Sequence, residues 1–159
     1  MTRRTPADTD AFVDAVLIAS RVLVGVSARS LAEVEDSVTV VQFRTLVVLQ
    51  TRPQTNLNGL SEVLGVNAST ALRMTDRLVA AGLVERRDNP ANRREIQLAL
   101  TAAGRSLVEE VTARRRAEIA RIVRAMPAQQ RAELAPALRA FAEAAGEPAA
   151  AGGVTAFGW

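Results

Sequence analysis

Neither cysteine nor histidine occurs among the 159 residues of this chain. Their absence excludes disulfides, thiol sensing of peroxide, Cys/His zinc sites and the usual nucleophile–base pairs of hydrolases. No Gly-rich loop of the kind that cradles phosphate occurs either. Adjacent carboxylates such as Glu109 and Glu110 fall in a helical stretch, where neighbours point in different directions, so they read as solvated charges. The composition therefore predicts no catalytic residue, no metal site and no cofactor. Aromatics are scarce, with one Trp, four Phe and no Tyr. All 20 basic residues are arginine against 17 acidic ones, a net charge of +3 that says less about partners than local clustering does. Nor is there an uninterrupted run of about 20 apolar residues, the length that crosses a bilayer. Arg3-Arg4 ahead of an apolar stretch has the look of a twin-arginine export signal, but Asp14 and Arg21 break that stretch. The expectation is a cytoplasmic protein without a membrane segment. What is present is 48% hydrophobic residues, sufficient for a true core in one domain or a small compact pair.

The most informative stretch runs from Leu60 to Arg94. Leu57, Leu60, Val63 and Leu64 have the i, i+3, i+4 spacing of a short amphipathic helix, and Gly65 follows as a tight turn. Asn67 or Ser69 can cap the next helix, each carrying a short side-chain oxygen that accepts from an orphan backbone N–H. That helix ends at Gly82, a residue type suited to the position after the last turn. At about 100° per residue, Ala71, Met74, Thr75, Leu78 and Val79 fall on one side of it. Ser69, Thr70, Arg73, Asp76, Arg77 and Ala80 fall on the other. A strip of small hydroxyls and two arginines suits the major groove of DNA, which is about 12 Å wide. Local chemistry alone thus predicts a helix-turn-helix.

Beyond Gly82, Leu83–Arg87 and Glu95–Leu100 both suit strands, the second through alternation of Ile96, Leu98 and Leu100. The segment 88–94 between them is made of turn residues and ends in Arg93-Arg94. A hairpin with a cationic tip beside a reading helix is a wing.

Residues 69–86, STALRMTDRLVAAGLVER, resemble the recognition helix and first wing strand of the MarR-type winged helix-turn-helix regulators of bacteria and archaea, and 92–104, NRREIQLALTAAG, is similar to that family's signature of an acidic residue, two basic ones, spaced apolar residues, then Leu-Thr and a later Gly. Leu100, Thr101 and Gly104 sit where that family's signature would have them. The likeness extends over most of the chain, although only its central third is specific. It implies a mainly α (α+β) fold, a winged helix-turn-helix with N- and C-terminal dimerisation helices. The divisions would be 8–35, the N-terminal dimerisation helix; 38–100, the DNA-binding region; 101–145, the C-terminal linker and dimerisation helices; and 146–159, a Gly/Ala-rich tail. Two positions depart from the pattern. Asn89 and Asn92 stand where the family usually has aspartate, and asparagine keeps the turn geometry without forming an ion pair to a recognition-helix arginine such as Arg77.

The flanking segments read as helices. Phe12, Val16, Leu23, Leu31 and Val34 recur at helical spacing between Asp8 and Glu35. In a helix from Val38 to Thr51, Val40, Phe43, Val47 and either Leu46 or Val48 would face inward, with Pro53 ending it. Thr101 would cap a long helix reaching Met126, and a last helix from Ala128 to Ala145 would be kinked by Pro136. Their apolar surface exceeds what a winged helix needs to fold, and in the family such helices interlock with those of a second copy. The resemblance therefore implies a homodimer, whose twofold axis would match half-sites about 34–36 Å apart.

The expected DNA-binding residues are Asn67, Ser69, Thr70, Arg73, Arg77, Arg93 and Arg94. Arg73 suits a guanine edge, Arg93 or Arg94 the minor groove, and Arg77 either phosphate or the wing. Small amphipathic or aromatic effectors in this family would implicate Phe12, Val16, Phe43, Arg44 and Val47, unless these are ordinary core. Phe157 and Trp159 either anchor the tail or end it loosely. The leading functional expectation is a ligand-released transcriptional repressor of a pseudo-palindromic operator in double-stranded DNA. The alternatives are a sequence-tolerant architectural DNA binder and a protein-interaction module that has lost DNA binding.

Overall fold

The computed structural model describes residues 6–32, 34, 38–53, 55–89 and 92–145, without the side chains of residues 6–8, 93 and 94. The tail 146–159, with Phe157 and Trp159, lies outside the described residues. In chain order the elements are α1 (Pro6–Ala32), α2 (Val40–Thr51), β1 (Thr55–Asn56), α3 (Leu57–Leu64), α4 (Ala68–Ala80), β2 (Val84–Asn89), β3 (Asn92–Leu100), α5 (Ala102–Arg124) and α6 (Ala128–Ala144). The three strands form one antiparallel sheet in the order β1-β3-β2. This is a mainly helical winged helix-turn-helix, as the sequence predicts, with flanking helices at both ends.

Helix α2 is the hub. Its start is fixed by a capping box, in which the Gln42 N–H donates to the Thr39 hydroxyl (3.3 Å) and the Thr39 N–H donates to Gln42 Oε1 (2.7 Å). Phe43, Thr45, Leu46, Val47, Val48 and Leu49 are all buried, so the helix is covered on nearly every side. Such a helix needs polar groups satisfied internally, and the Thr45 hydroxyl donates to the Val41 carbonyl at 3.0 Å. One expectation fails here. Val40 is exposed, because it faces an open space between α2, α1, the α3–α4 turn and α5 instead of the core.

Around α2 the core collects Leu60 and Leu64 of α3, Leu78 of α4, Val84 of β2, Leu98 and Leu100 of β3, and Val108 and Val111 of α5. The alternation along β3 holds for Leu98 and Leu100, which are buried, but Ile96 is 44% exposed. The reason is geometric: the β2–β3 ladder runs past the body of the protein, from Val84↔Leu100 out to Asn89↔Asn92. The wing strands are therefore longer than expected, and only residues 90 and 91 separate their ends. Strand β1 escapes sequence detection because two residues are too few to show alternation, and it pairs Thr55 with Leu98 and Asn56 with Gln97.

Thr101 and Gly104 join the end of α4 and the start of the wing to α5. The Thr101 hydroxyl accepts from the Gly104 N–H (3.0 Å) as N-cap and donates to the Gly82 carbonyl (2.7 Å), while the Thr101 N–H donates to the Leu83 carbonyl (3.1 Å). A Cβ on Gly104 would lie 3.0 Å from the Leu83 carbonyl carbon and nearer still to its oxygen. Only glycine allows the backbones this close. On the other side, Arg29 of α1 holds Glu118 of α5 through Nε (2.7 Å) and the terminal nitrogen (2.5 Å), with the Glu118 side chain only 18% exposed. Helix α6 continues through Pro136 as one element, with none of its residues buried.

Gly104→Ala should therefore cost about 2–3 kcal/mol in urea unfolding, the range for forcing extra atoms into a packed site. A cost below about 0.5 kcal/mol, the ordinary scatter for surface substitutions, would disprove the close approach.

Candidate nucleic-acid interface

The turn between α3 and α4 is set by Gly65, whose φ of 66° lies in the left-handed region that glycine adopts without a Cβ penalty. Two residues on, Asn67 is the N-cap of α4. Its Oδ1 accepts from the Thr70 N–H at 2.8 Å and from the Ser69 hydroxyl at 2.8 Å. Of the two cap candidates, Asn67 fills the position and Ser69 supports it. With its proton directed at Asn67, Ser69 presents its lone pairs outward.

Ala71, Thr75 and Leu78 of α4 are buried, with Met74 and Val79 packed against the core, as the helical periodicity predicts. The Thr75 hydroxyl is satisfied by donating to the Ala71 carbonyl at 2.8 Å. Ser69, Arg73, Asp76, Arg77 and Ala80 are exposed, and Thr70 is half-buried. Arg73 reaches Thr70 Oγ1 at 3.5 Å, the outer limit of a hydrogen bond, so its guanidinium remains available. Sequence reasoning missed Leu72, which is 41% exposed between Ser69 and Asp76. The strip thus carries an apolar side chain as well as hydroxyls and arginines. A finer angular reading would have found it, since Leu72 lies three residues after Ser69 and four before Asp76.

The wing root is braced to this helix. Arg86 of β2 forms an ion pair with Asp76 of α4, and Arg87 forms one with Glu85 two residues back on the same strand face. The helix-to-wing pair is of opposite polarity to that implied by the resemblance, with the helix giving the carboxylate and the strand the arginine. Arg77 makes no ion pair among the described residues. Arg93 and Arg94 belong to the outer end of β3 and not to a loop, because pairing continues to Asn92. Farther out, Asn89 Nδ2 donates to Glu95 Oε2 at 2.9 Å, and Asn56 Nδ2 donates to Glu95 Oε1.

A second feature is a cavity of about 520 Å³ between α1, α2, the α3–α4 turn and α5. Leu23, Val24, Val40, Val41, Leu64 and Val66 make its walls largely apolar, with Arg44 and Arg115 as the charged members. Burial in these surroundings pushes the Arg115 guanidinium below its ordinary pKa. Of the five residues expected at an effector site, only Arg44 lines the cavity. Phe43 and Val47 are buried in the core, because on α2 they face away from the turn formed by Val40, Val41 and Arg44. Phe12 is exposed and Val16 half-buried, both one to two turns short of Ser20, where α1 begins to line the space.

A helix-turn-helix with a braced two-stranded wing defines the class of protein. Residues 38–96 match the model of the MarR family. RV1404 from Mycobacterium tuberculosis is 47% identical in its crystal structure, with a TM-score of 0.82 over 94% of this chain and 100% of that one. The multiple antibiotic resistance protein MarR of Escherichia coli (strain K12) is 34% identical over 73 residues, 46% of this chain and 51% of that protein. The match thus spans about half the length of that curated relative. A MepR mutant from S. aureus bound to an oligodeoxyribonucleotide shares the fold, with a TM-score of 0.62 at 16% identity over 84% of this chain and 97% of that one. The chain belongs to the MarR family, a family of transcriptional regulators.

Loss of the Asn67 cap in Asn67→Ala should lower stability by about 1 kcal/mol in urea unfolding. Arg86→Ala, breaking a half-exposed ion pair, should change it by less than about 1 kcal/mol. Reversal of that order would mean that the wing brace, and not the cap, holds α4.

Proposed function

We propose that this protein is a DNA-binding repressor that acts as a homodimer on a pseudo-palindromic operator and is released by a small amphipathic ligand. The observation that carries the reading is the exposed strip Ser69, Leu72, Arg73 and Arg77 on a helix capped and packed from behind, beside a wing rich in arginine. In this reading Arg73 makes a bidentate contact to a guanine edge and Leu72 suits a thymine methyl. Ser69 accepts from a base amine, Asn67 and Thr70 line the entry to the groove, and Arg77 meets phosphate. Arg93 and Arg94 reach into the minor groove. The reading assigns no catalytic role to the chain and takes it to work in the cytoplasm.

Dimerisation is supported by apolar surface that the monomer leaves uncovered. Phe12, Val13, Leu17, Ile18 and Val22 of α1, with Leu134, Leu138 and Phe141 of α6, are all exposed. Apolar helix faces left open in this way commonly mark interaction surfaces. Thr9–Ala32 is also, by length and composition alone, apolar enough to cross a membrane, its most apolar 18 residues having a mean hydropathy of 1.8. Asp14 and Arg21 in that span, and the Arg29–Glu118 clamp at its end, favour a second copy of the chain as its cover.

The ligand reading rests on the cavity, whose volume falls in the range of about 300–1,000 Å³ typical of small-molecule sites. Two arginines on apolar walls fit a small anion with an apolar body. Leu64 and Val66 flank Gly65 and lie just before the Asn67 cap, so an occupant presses on the residues that aim α4. Binding that favours one aim over another shifts the population of operator-competent dimers.

Three measurements bear on this. Light scattering of the purified chain should give twice its 17.0 kDa mass, and a monomer would remove the twofold reading of an operator. Selection of bound genomic fragments should return a palindrome, whereas equal retention of random duplex would point to a sequence-tolerant binder. On the selected fragment Arg73→Ala should cost about 1–3 kcal/mol and relax preference at one base pair. Arg94→Ala should instead weaken all duplexes evenly, and identical behaviour of the two variants would overturn the division of labour between helix and wing.

A further inference from the structure

Glu95 lies on β3, the central strand of the sheet, two residues outward from the Asn56↔Gln97 pair. Its two carboxylate oxygens are used separately. Oε1 accepts from Asn56 Nδ2 on β1, and Oε2 accepts from Asn89 Nδ2 at the outer end of β2. Asn56 cannot turn its amide over, because its Oδ1 is committed to the Gly59 N–H at 2.8 Å as the N-cap of α3. The carboxylate therefore fastens the far end of the wing to the first helix of the helix-turn-helix, across three strands. All three side chains are half-buried, so the bonds are partly shielded from water.

The wing is also held nearer its root. The helix-to-wing ion pair, Arg86 to Asp76, grips it near the root, and β1 supports β3 only as far as Gln97. Beyond that point Ile96 is exposed, and the ladder becomes irregular between Asp88 and Asn89. A two-stranded ribbon of this kind is marginal alone. We infer that Glu95 is a positioning residue for DNA binding, holding the wing in its docking orientation before DNA arrives by tying Asn89 to Asn56. Asparagine at position 89 is what makes this possible. An aspartate there would set a second carboxylate against Glu95, with no proton to share.

The inference rests on the DNA-binding reading for its consequence but not for its geometry, and the two separate experimentally. In the DNA-free protein, amide hydrogen exchange of residues 84–100 should quicken about tenfold in Glu95→Ala, with the helical amides unchanged. Glu95→Gln should stay much closer to the parent chain than Glu95→Ala does, since its oxygen still accepts from Asn56. Asn89→Asp should loosen the wing, and adding Glu95→Gln to it should restore protection, because the glutamine amide donates to the new carboxylate. Unchanged wing exchange in both Glu95→Ala and Asn89→Asp overturns the inference, whatever the protein does with DNA.

Affinity for the selected genomic duplex supplies a test of opposite sign. Electrostatics alone predicts that removing an acidic side chain beside DNA tightens binding. If Glu95 positions the wing, Glu95→Ala weakens binding about tenfold at unchanged salt slope, and Glu95→Gln does not. Tighter binding by Glu95→Ala overturns the positioning role. Failure of the parent chain to bind any duplex overturns the DNA-binding reading instead, and leaves the exchange experiment to decide the tether.

Discussion

Where Gly104 meets Leu83, two backbones come together with no side chain between them, and Thr101 stitches the contact with hydrogen bonds to Gly82, Leu83 and Gly104. Three elements begin or end within this small volume: the reading helix α4 stops, the first wing strand starts, and α5 departs toward α1. Each would otherwise leave orphan peptide groups at its terminus. By satisfying one another they fix the angle between the part of the molecule that carries Arg73 and the part that carries the exposed apolar faces. The buried helix α2 then fills the space enclosed, which explains why six of its residues lose contact with water although it belongs to neither surface.

Periodicity made the helix-turn-helix legible because α4 is packed on one side only. Ala71, Thr75 and Leu78 go in, Arg73 and Arg77 stay out, and a pattern of that kind survives in the sequence. The same method fails on α2, where burial on nearly all sides erases the contrast that periodicity needs, and helical spacing turns Val40 inward although it is exposed. Capping chemistry was equally readable at Asn67 and Thr101, since both depend on residues three or fewer positions apart.

Contacts between distant positions could not be read in this way. Asn56 and Glu95 are 39 residues apart, and Arg29 and Glu118 are 89 apart, so neither pair leaves a local trace. Turn-forming composition also misled in 88–94, where cross-strand pairing overrides the preference of asparagine and aspartate for loops and carries Arg93 and Arg94 onto a strand. The cavity is lined from the same helices as the expected effector residues, but apart from Arg44 by other positions on them. Phe43 and Val47 have the character of a ligand pocket, yet the register of α2 gives that space to Val40, Val41 and Arg44.

Helix α5 is 23 residues long and is seated at one end on bare backbone at Gly104. At 1.5 Å per residue it is a rod of roughly 34 Å, so a shift of about 3 Å at its far end corresponds to a tilt near 5° at the seat. With backbone packed directly on backbone at the seat, such a tilt would bear on Leu83, two residues beyond the C-cap of α4. The junction would then serve as a fulcrum between the outer helices and the arginines of α4.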